Sequence, residues 1–322
     1  MNKLNVAVIG AGNMGRHHAR IYSELPNINL AAICDIDVDN GEKLAKKHGC
    51  RFYRDYKQML VKEKIDAVSI AVPTFLHHEV AFNVLDKGIN VLLEKPIATS
   101  LSEGEDIIKK AKEKSVLLMV GHIERFNPAV RRLARLIHDN KLGDIVSINM
   151  RRVGGLPPQK NNANVIMDLA IHDIDIANFF MRDFPVEVSG YKSKITIDEQ
   201  EDNAFVLLKY PKASAFIEVN WITPIKIRTL DITGTKGFAR LDYVAQKITL
   251  YENVLSAGNT QYKDFNDFIS KFYSPTVLQV DVERAEPLKC ELEEFIGAIA
   301  EKREPVFTAH DAYKSLEIAL KI

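Results

Sequence analysis

Along the first third of the chain, short apolar runs alternate with stretches whose apolar residues recur at helical spacing. Asn5–Ile9 is a short apolar run, followed by a glycine-rich turn and a helical stretch ending near Leu25. Leu30–Cys34 is a second run, followed by an aspartate-rich turn and a helix over Gly41–His48. Ala67–Val72 reads as a buried strand ended by Pro73. Val80–Asp86 reads as a helix with Gly88 at its cap, and Asn90–Leu93 as a strand. Ser100–Lys114 reads as a helix opened by a Ser100/Glu103 capping box, and Val116–Val120 as a strand. Buried strands separated by helices predict a parallel sheet covered on both faces. Near Gly121 the pattern changes. A helix is predicted over Asn127–Asn140, with Pro128 in its first turn, then an alternating strand over Val146–Arg151 and a helix over Val165–Met181. From Val186 to Tyr251 strand follows strand, broken at Pro211-Lys212, Thr223-Pro224 and Thr235-Lys236-Gly237. Ala215, Ile217 and Val219 share one face there, with Glu218 and Asn220 on the other. The tail returns to helix over Cys290–Ala300 and Asp311–Leu320.

The expectation is two domains: an α/β doubly wound parallel sheet over residues 1–122, and an α+β domain with a large, mostly antiparallel open sheet over residues 123–322. The C-terminal helices are available to pack back on the first. A length of 322 residues is ample for both. Lys plus Arg and Asp plus Glu number 43 each, so the formal net charge is zero, against a nucleic-acid groove or a membrane surface. No apolar run approaches a membrane span, and the N-terminus leads straight into a strand rather than a signal peptide. Cys34, Cys50 and Cys290 are few and scattered, which fits a reducing cytoplasm and offers no zinc spacing.

The candidate chemistry begins at Gly10-Ala11-Gly12-Asn13-Met14-Gly15, a GxGxxG between the first strand and first helix. There Gly10 permits the tight turn, Gly12 lets backbone approach a pyrophosphate, and Gly15 lets helix and strand pack closely, the signature of a Rossmann dinucleotide site. Asp35 closes the second strand, placed to accept both adenosine ribose hydroxyls. With Asp37 it repels a 2′-phosphate, and no Arg or Lys follows at once, so NAD is expected over NADP. Glu94-Lys95-Pro96 ends another strand of the parallel sheet, where ligands gather, and Lys-Pro bonds have a raised chance of being cis. In the second domain Asp168, His172 and Asp175 fall at i, i+4 and i+7 of a predicted helix. A carboxylate beside an imidazole raises its basicity, as an acid/base for an alcohol proton requires. A core histidine satisfied by aspartates, and a metal site, are the alternatives these residues leave open.

Together Gly10–Gly15, Glu94-Lys95-Pro96 and Asp168-xxx-His172 resemble the Gfo/Idh/MocA oxidoreductases, over nearly the whole chain. The resemblance implies Lys95 and His172 as the catalytic pair bracketing a carbinol beside the nicotinamide, with Asp168 positioning substrate and His172. It also implies that Val72, Pro73, Thr74 and His77 flank the cofactor, beside Glu94 and Lys95. Asn164-Val165-Ile166-Met167 replace the glycines common before that Asp. The junction Gly121–Pro128, the segment Asp168–Asp175 and Glu286–Leu292 are similar to the branch acting on nucleotide sugars. That likeness implies oxidation at C3 of a UDP-N-acetylhexosamine. Arg125, Arg152 and Arg228, with Asn127, are the substrate candidates, because a diphosphate needs cationic or N–H donors. An inositol or free-sugar dehydrogenase is the nearest rival, and a non-catalytic NAD-binding sensor the rival from another class; the trio Lys95, Asp168 and His172 argues against the sensor. An open sheet face is costly in water, so self-association to a homodimer or homotetramer is expected.

Overall fold

The computed structural model of the chain describes residues 3–155, 164–252, 263–267 and 276–322, which fall into two compact units. The first runs through Phe126 and takes in Glu286–Lys321; the second begins at Asn127 and extends to Ala285.

In the first unit, β1 (Leu4–Ile9), β2 (Ile28–Cys34), β3 (Arg51–Tyr53), β4 (Ala67–Ile70), β5 (Asn90–Glu94) and β6 (Leu118–Gly121) form a six-stranded sheet in the order β3-β2-β1-β4-β5-β6. Its pairs are all parallel. All four residues of β4 and the last four of β1 are buried. Helices on both faces leave no solvated side, so these strands read as apolar runs. The helices are α1 (Asn13–Glu24), α2 (Val38–His48), α3 (Tyr56–Lys62), α4 (His77–Asp86) and α5 (Leu101–Lys114). Strand order reverses between β1 and β4, which opens a crevice at their carboxyl ends. β4 ends at Ile70, two residues sooner than the sequence predicts. At α5, Ser100 Oγ accepts from Glu103 N, but the Glu103 carboxylate turns to Thr99 N and Oγ1 rather than Ser100 N. Only half of the predicted capping box forms.

The second unit holds α6 (Pro128–His138), β7 (Ile145–Val153), α7 (Ile171–Met181), β8 (Glu187–Ser193), β9 (Asn203–Lys209), β10 (Ser214–Asn220), β11 (Ile227–Gly234), β12 (Gly237–Asp242), β13 (Lys247–Glu252) and β14 (Thr276–Val280). The strands make an eight-stranded sheet, order β14-β13-β12-β11-β7-β10-β9-β8. Only β7 and β10 pair in parallel. Ile148, Met150, Val206, Ile217, Leu230 and Ile232 are fully or almost fully buried on the face that α7 covers. On the opposite face Tyr191, Phe205, Leu207 and Phe216 are exposed, and the Phe205 and Phe216 rings stack at 6.0 Å. The helix predicted over Val165–Met181 has two parts, because Ile166–Ala170 is a π-helical turn and α7 proper starts at Ile171. α7 is buried nearly all round, as a helix apolar on every side must be.

The tail helices α8 (Pro287–Glu301) and α9 (Ala309–Ala319) rejoin the first unit. α8 packs on α1 and on the turn Ile123–Phe126, and α9 packs on α5 and β6. Phe126 meets Phe307 edge to face at 5.5 Å, and the Arg125 guanidinium lies 4.5 Å from the Phe307 ring centre. These aromatic contacts keep residues 123–126 with the first unit, a turn beyond the boundary placed at residue 122.

Candidate active site

The glycine loop is built so that only glycine fits at two of its positions. Gly10 sits at φ +98°, and a Cβ there would lie 2.4 Å from Ala71 O. A Cβ on Gly15 would lie 1.7 Å from Gly10 O, so its absence lets α1 close on β1. At Gly12 a Cβ would meet nothing within 4 Å. Gly12 is also the N-cap of α1, with no side-chain cap and no acid in the first turn. Exposed Gly12 and Asn13, with Ala11 and Met14 half-buried beside them, surround a helix N-terminus left open to an anion. Asp35, just past β2, accepts from Ala11 N at 2.5 Å and from Asp37 N at 2.8 Å, so its carboxylate stands at the rim of that loop. A pyrophosphate on α1 with a ribose at Asp35 fits this arrangement, and Gly10–Gly15 with Asp35 are the residues that would hold it.

β5 delivers Glu94 and Lys95 to the same carboxyl edge, and the Lys95–Pro96 bond is cis. Two buried histidines fasten this corner. His18 Nε2 lies 3.0 Å from Glu94 Oε1. His77 sets Nδ1 2.8 Å from Pro96 O and Nε2 3.0 Å from Val72 O, tying the loop Val72-Pro73-Thr74 to the Lys95 corner. Burial pushes the His77 pKa down, while the Pro96 and Val72 carbonyls and the Glu94 charge pull it partly back. For Glu94, burial would raise the carboxyl, but the His18 bond and the charges of His18 and Lys95 outweigh it and hold Glu94 below the ordinary range. Gly121 makes room for this carboxylate, since a Cβ there would lie 3.3 Å from Glu94 Oε2.

In the second unit Asp168 lies in the π turn and His172 in the first turn of α7, both half-buried. Asp168 Oδ2 accepts from Trp221 Nε1 at 3.1 Å. The wider π turn alters the α-helical register on which the stripe Asp168, His172, Asp175 was based. Asp175 is only 1% exposed and its charge acts on Tyr210 in the core, so it is not part of an open stripe.

The four expected substrate ligands all have protein partners. Arg152, 5% exposed, forms a bidentate ion pair with Asp173, Nε to Oδ2 at 3.0 Å and Nη2 to Oδ1 at 2.8 Å, with its guanidinium 5.0 Å from the Tyr243 ring centre. In this structure Asp173 takes two of the guanidinium N–H donors that a phosphate would need. Arg125, 4% exposed, is held by the Phe307 ring and by Asp311 at 3.7 Å. Asn127 is the N-cap of α6: its Oδ1 accepts from Ala129 N and its Nδ2 donates to Tyr243 O, both at 3.1 Å. Arg228 donates to the carbonyls of Val153, Ile227 and Gly154 but stays half-exposed. Breaking the buried pair has a predictable cost. Asp173→Asn should destabilise the protein by about 3 kcal/mol, at the lower end for an uncompensated buried charge, because Tyr243 still faces the guanidinium. Urea denaturation checks it, and Arg152→Met with Asp173→Leu should recover much of the loss.

The residues missed by sequence reasoning are His18, Asp173, Trp221 and Glu291. Trp221 carries a signal that could have found it: it is the only tryptophan in the chain, at the end of an alternating strand. His18 falls on the buried face of the helix that opens with the glycine loop. Among the described residues, no group of three or more His, Cys, Asp or Glu side chains is arranged to hold a metal ion, and no helix is long and apolar enough to cross a membrane.

The model of an oxidoreductase family with an NAD-binding Rossmann fold matches residues 4–122. The model of the GFO/IDH/MocA C-terminal domain matches residues 130–240. The chain is 26% identical to the UDP-N-acetylglucosamine 3-dehydrogenase of Acidithiobacillus ferrooxidans, across 95% of this chain and 92% of that one. It is also 26% identical to the scyllo-inositol 2-dehydrogenase (NAD(+)) of Bacillus subtilis, across 99% of this chain and 93% of that one. A solved structure of the Acidithiobacillus enzyme superposes with a TM-score of 0.86 at 25% identity, covering 100% of this chain and 97% of that one. Levoglucosan dehydrogenase, solved with NADH and levoglucosan, shares the fold at a TM-score of 0.86 and 20% identity, covering 100% of this chain and 96% of that one.

Proposed function

The chain belongs to the GFO/IDH/MocA oxidoreductases, NAD-binding enzymes of sugars and polyols, and from that premise we propose that it oxidises a ring hydroxyl of a nucleotide sugar, C3 of a UDP-N-acetylhexosamine, to the ketone. The observation that carries the reading is the Lys95 corner: an ammonium-bearing residue at the carboxyl end of β5, fastened by two buried histidines on the cofactor edge of the sheet. The likeness to the Acidithiobacillus enzyme over nearly its whole length supports the choice of sugar.

NAD, which Gly10–Gly15 and Asp35 would hold, would supply the hydride acceptor. The chain's own residues handle the proton and the orientation. Lys95 and His172 serve the reacting hydroxyl, one as acid/base for its proton and the other as a hydrogen-bond donor to its oxygen. Trp221 fixes one oxygen of Asp168, leaving that carboxylate a defined direction for substrate and for His172. The loop Val72-Pro73-Thr74, tied down by His77, flanks the cofactor. Arg228, half-exposed and braced by three carbonyls, is the remaining candidate for the diphosphate.

The equal identity to an inositol dehydrogenase favours a second reading, oxidation of a cyclic polyol. Mixing the enzyme with NAD and UDP-N-acetylglucosamine, or with a panel of inositols, and following reduced nicotinamide separates the two. A response to inositols alone overturns the nucleotide-sugar reading. Asp35 sets the cofactor preference. Asp35→Ser should lower the NAD over NADP ratio of kcat/KM about tenfold or more, since one ribose-binding carboxylate and one repulsive charge are lost together.

The exposed aromatic face of β8–β10 supports self-association with a second copy of the chain through the open sheet, because Tyr191, Phe205, Leu207 and Phe216 are a costly set to leave in water. All three cysteines are thiols, in keeping with a reducing cytoplasm.

A further inference from the structure

Behind the Lys95 corner the first unit buries a second carboxyl for which the proposed chemistry has no use. Glu291 lies on α8, is 0% exposed, and neither of its oxygens has a hydrogen-bond partner among the described residues. α8 packs against α1, which carries His18 and Tyr22. His18 is itself fully buried and spends Nε2 on Glu94, while its Nδ1 has no partner among the described residues. Tyr22 is fully buried and bonded to Ser69 Oγ at 2.7 Å. A wholly buried carboxyl of this kind is costly, and native proteins keep few of them without a reason.

Resting on the dehydrogenase reading, we propose that Glu291 is a positioning residue for Lys95, acting through Glu94 and His18 as one buried cluster in which Glu94 is the one ionised carboxyl. Glu94 faces His18 Nε2 with Oε1 at 3.0 Å and accepts from the Lys95 backbone N–H with Oε2 at 3.3 Å. Glu291 stays neutral because burial and the nearby Glu94 charge both disfavour its ionisation. A second charge would repel Glu94 and alter the potential at the neighbouring ammonium. The other titratable and charged groups on the elements packed against α8 are Arg16, His17, Arg20, Tyr22 and Glu24 on α1, and Glu124 and Arg125 at the turn with His122 just before it; Arg16, His17 and Glu24 are exposed. Arg20 is engaged with Glu286 and Glu24, and Arg125 with Asp311, so neither is assigned to neutralise Glu291.

The sign of the pH dependence follows. The Glu291 carboxyl titrates higher in the folded chain than its ordinary 4.5. Its stabilising contribution is complete below that value and drains away as pH rises toward the folded-state value. Glu291→Gln keeps the shape and removes the titration. The Tm of Glu291→Gln minus that of wild type should therefore widen by about 3 °C or more between about pH 5 and pH 8. Infrared difference spectra should show a protonated-carboxyl band in wild type at neutral pH that is missing from the variant. With active substrate, the alkaline fall of kcat in wild type should be delayed in the variant, with KM for NAD unchanged. Parallel Tm curves, or wild type without the band, overturn the cluster. The Tm and infrared readouts need neither NAD nor sugar. If they succeed while no sugar is oxidised, the dehydrogenase reading fails and the buried acid stands, though with no reaction to serve.

Discussion

His172→Ala and Lys95→Met should each lower kcat about 10²–10⁴-fold, the usual span for losing a positioned proton-transfer group, while NAD binding measured by titration stays within a few-fold of wild type. The two losses should not add. If one hydroxyl is served by both groups, removing either already disables the proton transfer, and the double variant should be little worse than the worse single one. Neither substitution should change stability by more than about 1 kcal/mol: His172 is half-buried, and Lys95 sits beyond the end of its strand.

Gly15→Ala and Gly12→Ala should separate fold from cofactor binding within one loop. A Cβ on Gly15 would lie 1.7 Å from Gly10 O and 3.5 Å from a Val8 methyl, so α1 must lift off β1. Loss of about 4 kcal/mol of stability, or failure to fold, is expected. Gly12 has φ −70° and open space where its Cβ would be. Alanine there should leave Tm within about 2 °C, yet it puts a methyl group where a pyrophosphate must approach the backbone. NAD affinity should fall about tenfold or more. Thermal melts and NAD titrations of the two purified variants check both halves. If Gly12→Ala bound NAD normally, the anion would not lie on the N-terminus of α1.

The parts of this molecule visible in its sequence are those whose physics is local. Gly10–Gly15 announces itself because tight turn, open approach and close packing each exclude a side chain, and the strand before and helix after lie within a few residues. Lys95 is legible for the same reason, since a strand of apolar residues ending in a charged residue points at the carboxyl edge of the sheet. β3 and α3 pass unnoticed because three and seven residues are too few to establish a period. The π turn at Ile166–Ala170 is hidden because apolar residues around a buried helix carry no phase. Arg152 shows the harder limit. Whether a buried guanidinium meets a phosphate or a carboxylate depends on a partner 21 residues away on another element, and Asp173 looks no different in sequence from Asp168 or Asp175. Asn127 likewise reads as a polar residue in a functional segment until its bonds show it capping α6.

The central claim is hydride removal from one ring carbon with the chain's own groups taking the proton. Single-turnover oxidation of UDP-N-acetylglucosamine deuterated at C3, with NAD as the only acceptor, tests it most directly. Deuterium recovered in the reduced nicotinamide, a 3-keto sugar as product, and loss of both in Lys95→Met and His172→Ala are the predicted results. Deuterium left in the sugar while wild type binds both ligands would contradict the account.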